Sequence, residues 1–218
     1  MFFRPYILFL LPKILSDCVT MHFPDQPQMV ALLKELAPQE GYNLTALADI
    51  RILRSDRPLA RTPVLYDPGI VIVCQGSKRG YFGEQLYLYD EQHYLAVSVP
   101  VPFVMETEAS AERPLLAIYM HLDFQVAAEL LLHIEQQGAT HAAAAPQSMM
   151  SSPMDGGMRK SVLRLLEALS SPLEASVLGP ALVRELYFRV LTGAQGHAMR
   201  SALALQGQFG RICKVLRH

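Results

Sequence analysis

The chain has 218 residues, of which 51% are hydrophobic and 18% charged, and its formal net charge is -1 at pH 7. A chain of this length and composition can bury roughly 70% of its unfolded surface, which excludes disorder as the default state. The near-neutral charge excludes the basic face that binding to a phosphate backbone requires, so we expect no DNA binding by this chain alone.

Residues 1–27 are predicted to form a loosely ordered extension. Their apolar run from Tyr6 to Leu11 is ended by a proline and a lysine and is far shorter than the roughly 20 residues that span a bilayer, so we expect no membrane anchor. A signal peptide is an alternative, because Arg4 precedes the run, but no small-residue cleavage pattern follows it. We expect translation normally to begin at Met21.

A leading helix and a loop are predicted over residues 28–48. Met29, Leu32, Leu33 and Leu36 recur at helical spacing, and prolines stand before and after the run.

Residues 49–123 are predicted to form a sandwich or small barrel. Short apolar and β-branched runs such as IVIVCQ and YLAVSV alternate here with prolines and glycines at close intervals, which is typical of such folds. Alternation along YLAVSV places Tyr94 and Ser98 on one face and Leu95 and Val97 on the other. It does not decide which face looks inward, because helices that cover the outer face would make that face apolar as well.

Residues 124–210 are predicted to be mainly helical. Asp123 is a predicted N-cap, and Gly138 ends the helix that follows it. The stretch from His141 to Gly157 is rich in Ala, Ser, Met, Pro and Gly and has no period, which predicts a loop.

Two further helices are predicted after this loop. The first carries Val162, Leu165, Leu166 and Leu169 on one face, and the second runs from Pro180 to Thr192. With the barrel first and the helices afterwards, the fold class is α+β.

The segment from Gln75 to Phe103 is the most informative part of the sequence. Gly76 and Gly80 bracket a tight turn that Lys78 and Arg79 are expected to keep solvated, and a second turn at Gly83 completes a β-meander. This segment resembles the effector domain at the N-terminus of one large subgroup of AraC/XylS transcription regulators. The residues that carry the resemblance are Gln75, Gly76, Ser77, Lys78, Gly83, Tyr89, Asp90, Tyr94, Leu95, Ser98, Val99 and Pro102.

A second block, from Pro180 to Gly196, resembles the helix and turn that end the same sensing domain. It carries Glu185, Leu186, Tyr187, Arg189, Leu191, Thr192, Gly193 and Gly196 at the positions of that pattern. Residues 211–218 resemble the start of the family's DNA-binding domain, and we expect the chain to be truncated before the helix-turn-helix units that follow there.

The resemblance implies a cupin-like barrel that binds a small effector and controls an attached DNA-binding domain in the cytoplasm. DNA would then be a partner only through the missing C-terminal domain. The residues expected to contact the effector are Tyr94, Ser98, Phe103, Met105, Tyr119 and His121, although packing is an equally simple role for the tyrosines. Cys74 is a candidate sensor thiol, with a buried small apolar residue as the alternative.

The resemblance also implies a homodimer formed through helices next to the barrel. The candidate contact residues are Val162, Leu165, Leu166, Leu169, Val183, Leu186, Tyr187 and Val190. The alternative for them is packing wholly against their own barrel, since the width of an apolar stripe does not separate the two.

Two other functions stay open. One is a scaffold that dimerises without any ligand, and the other is a cupin-type metal enzyme. Such enzymes cluster histidines and a carboxylate on adjacent strands, whereas here His93 is isolated and His121 falls near the end of a distant strand. No nucleophile signature, phosphate-cradling loop or dinucleotide fingerprint appears, so we expect no catalytic residue, no metal site and no cofactor.

Overall fold

The computed structural model describes residues 24–138, 145–205 and 215. Most of the predicted N-terminal extension and nearly all of the predicted start of a DNA-binding domain lie outside these residues. The first element is α1 (Gln26–Leu36), which has a proline in its first turn and buries Met29 and Leu33. The predicted leading helix is therefore present.

The described residues include ten strands in one antiparallel sheet. They are β1 (Gly41–Leu44), β2 (Ile50–Ser55), β3 (Leu59–Tyr66), β4 (Gly69–Gln75), β5 (Ser77–Phe82), β6 (Gln85–Asp90), β7 (His93–Val97), β8 (Val101–Glu108), β9 (Leu115–His121) and β10 (Met149–Pro153). Their order is β1-β2-β9-β4-β7-β6-β5-β8-β3, and β10 pairs with β7. No ladder joins β3 to β1 or β2 within the described residues, so the barrel is open between these two ends of the sheet.

The two faces of the sheet carry separate cores, as the two-residue period of a strand requires. On β4, Ile70 and Ile72 belong to an outer cluster that packs beneath the helices. Val71 and Val73, which alternate with them, belong to an inner cluster on the concave face. A strand buried on both faces explains why IVIVC reads as a continuous apolar run.

Four helices of the described residues follow β9. They are α2 (Phe124–Gln136), α3 (Gly156–Leu169), α4 (Pro172–Thr192) and α5 (Gly196–Ala204). The fold is thus α+β, with a curled barrel-like sheet, one helix before it and a helical segment after it. No helix of the described residues has both the length and the apolar content to cross a bilayer.

The start of α4 differs from the prediction. The helix begins at Pro172, and Pro180 lies inside it. Ser171 explains the earlier start, because its side chain accepts a hydrogen bond from the backbone N–H of Glu174 and Pro172 is pre-set for the first helical position.

Of the predicted loop from His141 to Gly157, residues 141–144 lie outside the described residues, and the rest contains β10 and the first residues of α3. Met149 and Met150 are both buried, and Met149 lies opposite Val97 of β7. The strand forms because β6 pairs with β7 only at His93, which leaves the rest of that edge of β7 open to β10. Such long-range pairing leaves no period in a five-residue segment.

Charged residues of the second family-like block hold α3 against α4. Glu185 of α4 accepts a hydrogen bond from the Ser161 hydroxyl at 2.7 Å and pairs with Arg189 Nη2 at 2.7 Å. These two contacts, the hydrogen bond first, lower the pKa of the Glu185 carboxyl.

Candidate functional site

A cavity of about 810 Å³ lies between the two ends of the curled sheet. Small-molecule sites commonly have volumes of roughly 300–1,000 Å³ and mainly apolar walls. Here the apolar and aromatic lining includes Leu53, Val64, Tyr66, Val71, Val97, Met105 and Tyr119, and the charged or titratable lining consists of Glu40, Arg51, Arg54, Arg57, Asp67, Lys78 and His121.

The mouth of the cavity is the gap where the sheet does not close, which we call the seam. β1 and β2 contribute Tyr42 and Arg51 on one side, and β3 contributes Val64 and Leu65 on the other. Tyr42 is 55% exposed and Leu65 is 65% exposed. Large apolar side chains thus stand in solvent at the entrance.

Three tyrosines form a hydroxyl cluster at the inner face. Tyr66 Oη lies 2.8 Å from Tyr119 Oη and 3.4 Å from Tyr89 Oη. Burial raises the pKa of Tyr66 to about 12 and the pKa values of Tyr89 and Tyr119 well above their usual range. All three hydroxyls therefore stay protonated at neutral pH and can donate hydrogen bonds.

Arg51 lies at the seam without a carboxylate partner among the described residues. Its guanidinium contacts His121 Nε2, and its Cζ lies 5.4 Å from the centre of the Tyr42 ring. Two other arginines of the lining are paired: Arg54 with Asp56 at 2.8 Å, and Arg57 with a glutamate at 3.0 Å.

Lys78 is the deepest cation of the lining. Its side chain points inward from β5 and the residue is 1% exposed. Its Nζ donates a hydrogen bond to Thr107 Oγ1 at 3.0 Å, and it makes no ion pair within the described part of the chain. Burial lowers the pKa of Lys78 to about 8.

The neighbouring residue shows the contrast between the two faces of β5. Arg79 points outward and pairs with Glu106 at 3.1 Å and with Glu108 at 2.5 Å. The prediction that both basic residues are solvated is therefore wrong for Lys78. Alternation along the strand, which puts Lys78 on the opposite face from Arg79, is the signal that would have found it.

Three of the six predicted effector contacts line the cavity: Met105, Tyr119 and His121. Phe103 belongs to the inner cluster, with its ring centre 4.7 Å from that of Tyr66. The structure brings these residues to the concave side of the sheet.

Tyr94 and Ser98 do not line the cavity, which corrects the predicted orientation of β7. Tyr94 belongs to the outer cluster, and Ser98 Oγ donates a hydrogen bond to the backbone carbonyl of Gln147 at 3.0 Å. The inward residues of β7 are Leu95 and Val97. Tyr94 is therefore buried beneath the helices that cover the outer face, and Ser98, just past the end of β7, is buried against the segment that leads into β10.

Cys74 faces the outer cluster and is buried. Burial raises the pKa of its thiol to about 12, so almost no thiolate exists at neutral pH. This environment favours the small apolar residue over the sensor thiol.

The residues expected at a dimer contact lie inside the chain's own core. Seven of the eight are buried: Val162, Leu165, Leu166, Leu169, Leu186, Tyr187 and Val190. Val183 is partly buried against the same cluster. These positions favour packing within the chain, and the large apolar side chains that α4 exposes are instead Leu173, Val177, Leu178 and Phe188.

Within residues 24–138 and 145–205, no three His, Cys, Asp or Glu side chains are grouped so that they could hold a metal ion. His93 instead pairs with Asp90, its Nδ1 lying 2.9 Å from a carboxylate oxygen.

Residues 46–198 match a family model described as the N-terminus of AraC-type transcriptional regulators. No curated protein matches the chain. Among solved structures, a 1.65 Å structure of ToxT from Vibrio cholerae is 12% identical with a TM-score of 0.43, covering 77% of this chain and 70% of that chain.

Two other ToxT structures from Vibrio cholerae are similar at the same level. An apo variant is 8% identical with a TM-score of 0.40, covering 82% of this chain and 72% of that one. A wild-type form described as bound to unsaturated fatty acid is 15% identical with a TM-score of 0.40, covering 82% of this chain and 71% of that one. At these scores the structural likeness adds nothing to the match with the family model.

Proposed function

The chain belongs to the AraC-type transcriptional regulators through their N-terminal domain, and from this premise we propose that it senses a small effector in the cavity of its open barrel. The observation that carries the proposal is the cavity of about 810 Å³, with apolar walls and a few polar groups that converge on it. A ligand-free scaffold has no use for such a space, because filling it with side chains would stabilise the fold.

The seam offers a way for binding to become a signal. An effector that touches β2 on one side and β3 on the other favours arrangements in which these two ends of the sheet lie close together. Such a difference in affinity between two arrangements is what a ligand needs to shift an equilibrium.

Tyr187 connects the cavity to the helical segment. Its hydroxyl donates a hydrogen bond to the backbone carbonyl of His121, a cavity residue, and accepts one from the backbone N–H of Asp123 at 3.1 Å. A shift at the end of β9 therefore reaches α4 directly. We propose that α4 and α5 pass it to an attached DNA-binding domain.

Self-association belongs to the same proposal. Leu173, Val177 and Phe188 lie on the exposed side of α4, where two copies of the chain would bury them against each other. Catalysis is not part of the proposed function.

Native mass spectrometry of the purified chain tests effector binding without knowledge of the ligand. We expect a retained small molecule, or a shift in melting temperature with members of a metabolite library. A chain that retains nothing and responds to no library member would favour the scaffold.

A further inference from the structure

We propose that the cavity selects effectors that carry an acidic group, and that the ammonium of Lys78 binds the carboxylate of the effector. The inference rests on the proposed function and names the ligand class of the same cavity. Its basis is a buried cation on the inner face that faces the cavity and has no anion beside it within the described residues.

The neighbours of Lys78 on adjacent strands do not neutralise its charge. In the registers of β5 with β8 and β6, Lys78 lies opposite Thr107 and Tyr89. Thr107 accepts one hydrogen bond from the ammonium, and its own hydroxyl lies 3.7 Å from Met105 Sδ. Tyr89 is kept protonated by its burial.

An ammonium has three donors, and the structure gives one of them an acceptor. Burying a cation without a paired anion is unfavourable, so a fold that keeps one gains when an anion arrives. A carboxylate can accept from the remaining donors, and the protonated hydroxyls of Tyr66 and Tyr119 line the same cavity. The Lys78 ammonium thus lacks one negatively charged partner within the described residues.

Cations outnumber carboxylates in the lining, which holds Arg51, Arg54, Arg57 and Lys78 against Glu40 and Asp67. Arg57 pairs with Glu40 and Arg54 with Asp56, whereas Arg51 has no carboxylate partner in the described part of the chain. The lining therefore keeps an excess of positive charge, which favours an anionic ligand.

A carboxylate on an apolar body fits this lining better than a phosphate. The apolar part of the lining includes three residues of the inner cluster, Val71, Val97 and Met105. A phosphate carries up to two charges and needs several charged or backbone donors. Among the described residues of this lining, Lys78 is the one fully buried cation, and a single buried ammonium matches a single negative charge.

The test uses matched pairs of ligands that differ in charge alone. Alkanoates and arylcarboxylates of graded size, each with its primary amide, are titrated into the full chain at pH 7 by calorimetry. We expect at least one carboxylate to bind, and its amide to bind about tenfold or more weakly.

Variants then locate the charge that matters. Lys78→Met should weaken carboxylate binding by about tenfold or more while it leaves amide binding within about twofold. Arg79→Met is the matched control, because Arg79 is the adjacent cation on the outer face, and it should leave both affinities unchanged. Lys78→Gln and the ¹⁵N resonance of the Lys78 ammonium in the unmodified chain give the same information if the methionine variant does not fold.

The outcomes separate this inference from the proposed function. Three results would overturn the role of Lys78 and leave the proposed sensing function intact. The amides could bind as tightly as the acids, Lys78→Met could keep its affinity for the carboxylate, or carboxylate binding could leave the Lys78 resonance unshifted. If no acid, no amide and no library member binds, both proposals fall.

Discussion

At the scale of one residue, Lys78, which we propose to bind the effector, makes the folded chain less stable. Its pKa is about 8 in the fold, against 10.5 for an ordinary lysine, because burial disfavours the charged form. At neutral pH the folded chain therefore holds a charge that the unfolded chain would solvate better.

Lys78→Met should stabilise the chain at pH 7. The pKa difference corresponds to about 3 kcal/mol in the free energy of unfolding, as an upper bound. Between pH 8 and 10.5 the unfolded chain binds more protons than the folded one, so the stability of the unmodified chain rises with pH and the variant lacks that rise. Urea unfolding at pH 7 and about pH 9.5 measures both effects.

A pH of about 9.5 lies below the range in which the three clustered tyrosines lose their protons. Tyr66, Tyr89 and Tyr119 have raised pKa values in the fold, so their contribution to stability is lost only at higher pH. A variant less stable than the unmodified chain at pH 7 would mean that Lys78 has a structural partner, which contradicts an unpaired buried ammonium.

Tyr187→Phe tests the link between the barrel and α4. The change removes two hydrogen bonds to the backbone at the end of β9, so we expect a loss of about 1–3 kcal/mol in the free energy of unfolding. Tyr87→Phe is the control, because that hydroxyl bonds only an exposed side chain, Gln85. Equal effects in the two variants would show that the Tyr187 hydroxyl makes no specific link.

At the scale of elements, the turn between two strands determines which face of the second strand points into the cavity. The turn at Gly76 shows this. Gly76 joins β4 to β5 with φ of 83°, and a Cβ there would lie 3.0 Å from the backbone oxygen of Glu108 and 3.2 Å from Leu115 Cα. Neither atom belongs to a flexible side chain. Lys78, two residues later, depends on this turn for its inward direction.

Gly76→Ala should therefore destabilise the chain by roughly 2–4 kcal/mol, through strain at positive φ and a contact with backbone. Gly83→Ala is the matched control, since Gly83 also has positive φ, at 60°, but open space around it. For Gly83→Ala we expect a loss of about 1 kcal/mol in the free energy of unfolding. Thermal unfolding of the two variants measures the difference, and equal losses would show that the close approach at Gly76 costs nothing.

The sequence predicts the elements far better than their orientation. Apolar periodicity and turn residues identify α1, the barrel strands and the helical segment, because each signal lies within a few residues. The inward face of β7 is not readable, since Leu95 and Tyr94 are both buried, one on each side of the sheet. Alternation along β5 separates Lys78 from Arg79 but does not show which of them faces inward. β10 and the position of Arg51 at the seam depend on contacts between distant strands, which no local pattern carries.

At the scale of the whole molecule, α4 carries two sets of apolar residues, one buried in the chain's own core and one exposed. Leu186 and Val190 pack inward, whereas Leu173 and Val177 are exposed and Phe188 is 47% exposed. A homodimer would cover the second set.

Phe188→Glu should dissociate such a dimer and leave the monomer folded. Leu166→Glu should instead unfold the chain, because Leu166 is fully buried in the outer cluster. Sedimentation velocity with circular dichroism distinguishes the two results, with Leu86→Glu as a control at an exposed leucine on β6. An unmodified chain that stays monomeric at high micromolar concentration would end the dimer proposal.

Binding inside the open barrel is the central claim, and a variant that fills the cavity tests it most directly. Val64 of β3 lines the cavity, whereas Val104 of the neighbouring strand β8 is half-buried on the opposite face. Titration calorimetry of the tightest ligand found by the library screen should show binding to the unmodified chain and to Val104→Trp, and a loss of about tenfold or more in Val64→Trp. Equal affinity in Val64→Trp and Val104→Trp, with both variants folded, would place the ligand outside the barrel and contradict effector binding in the cavity.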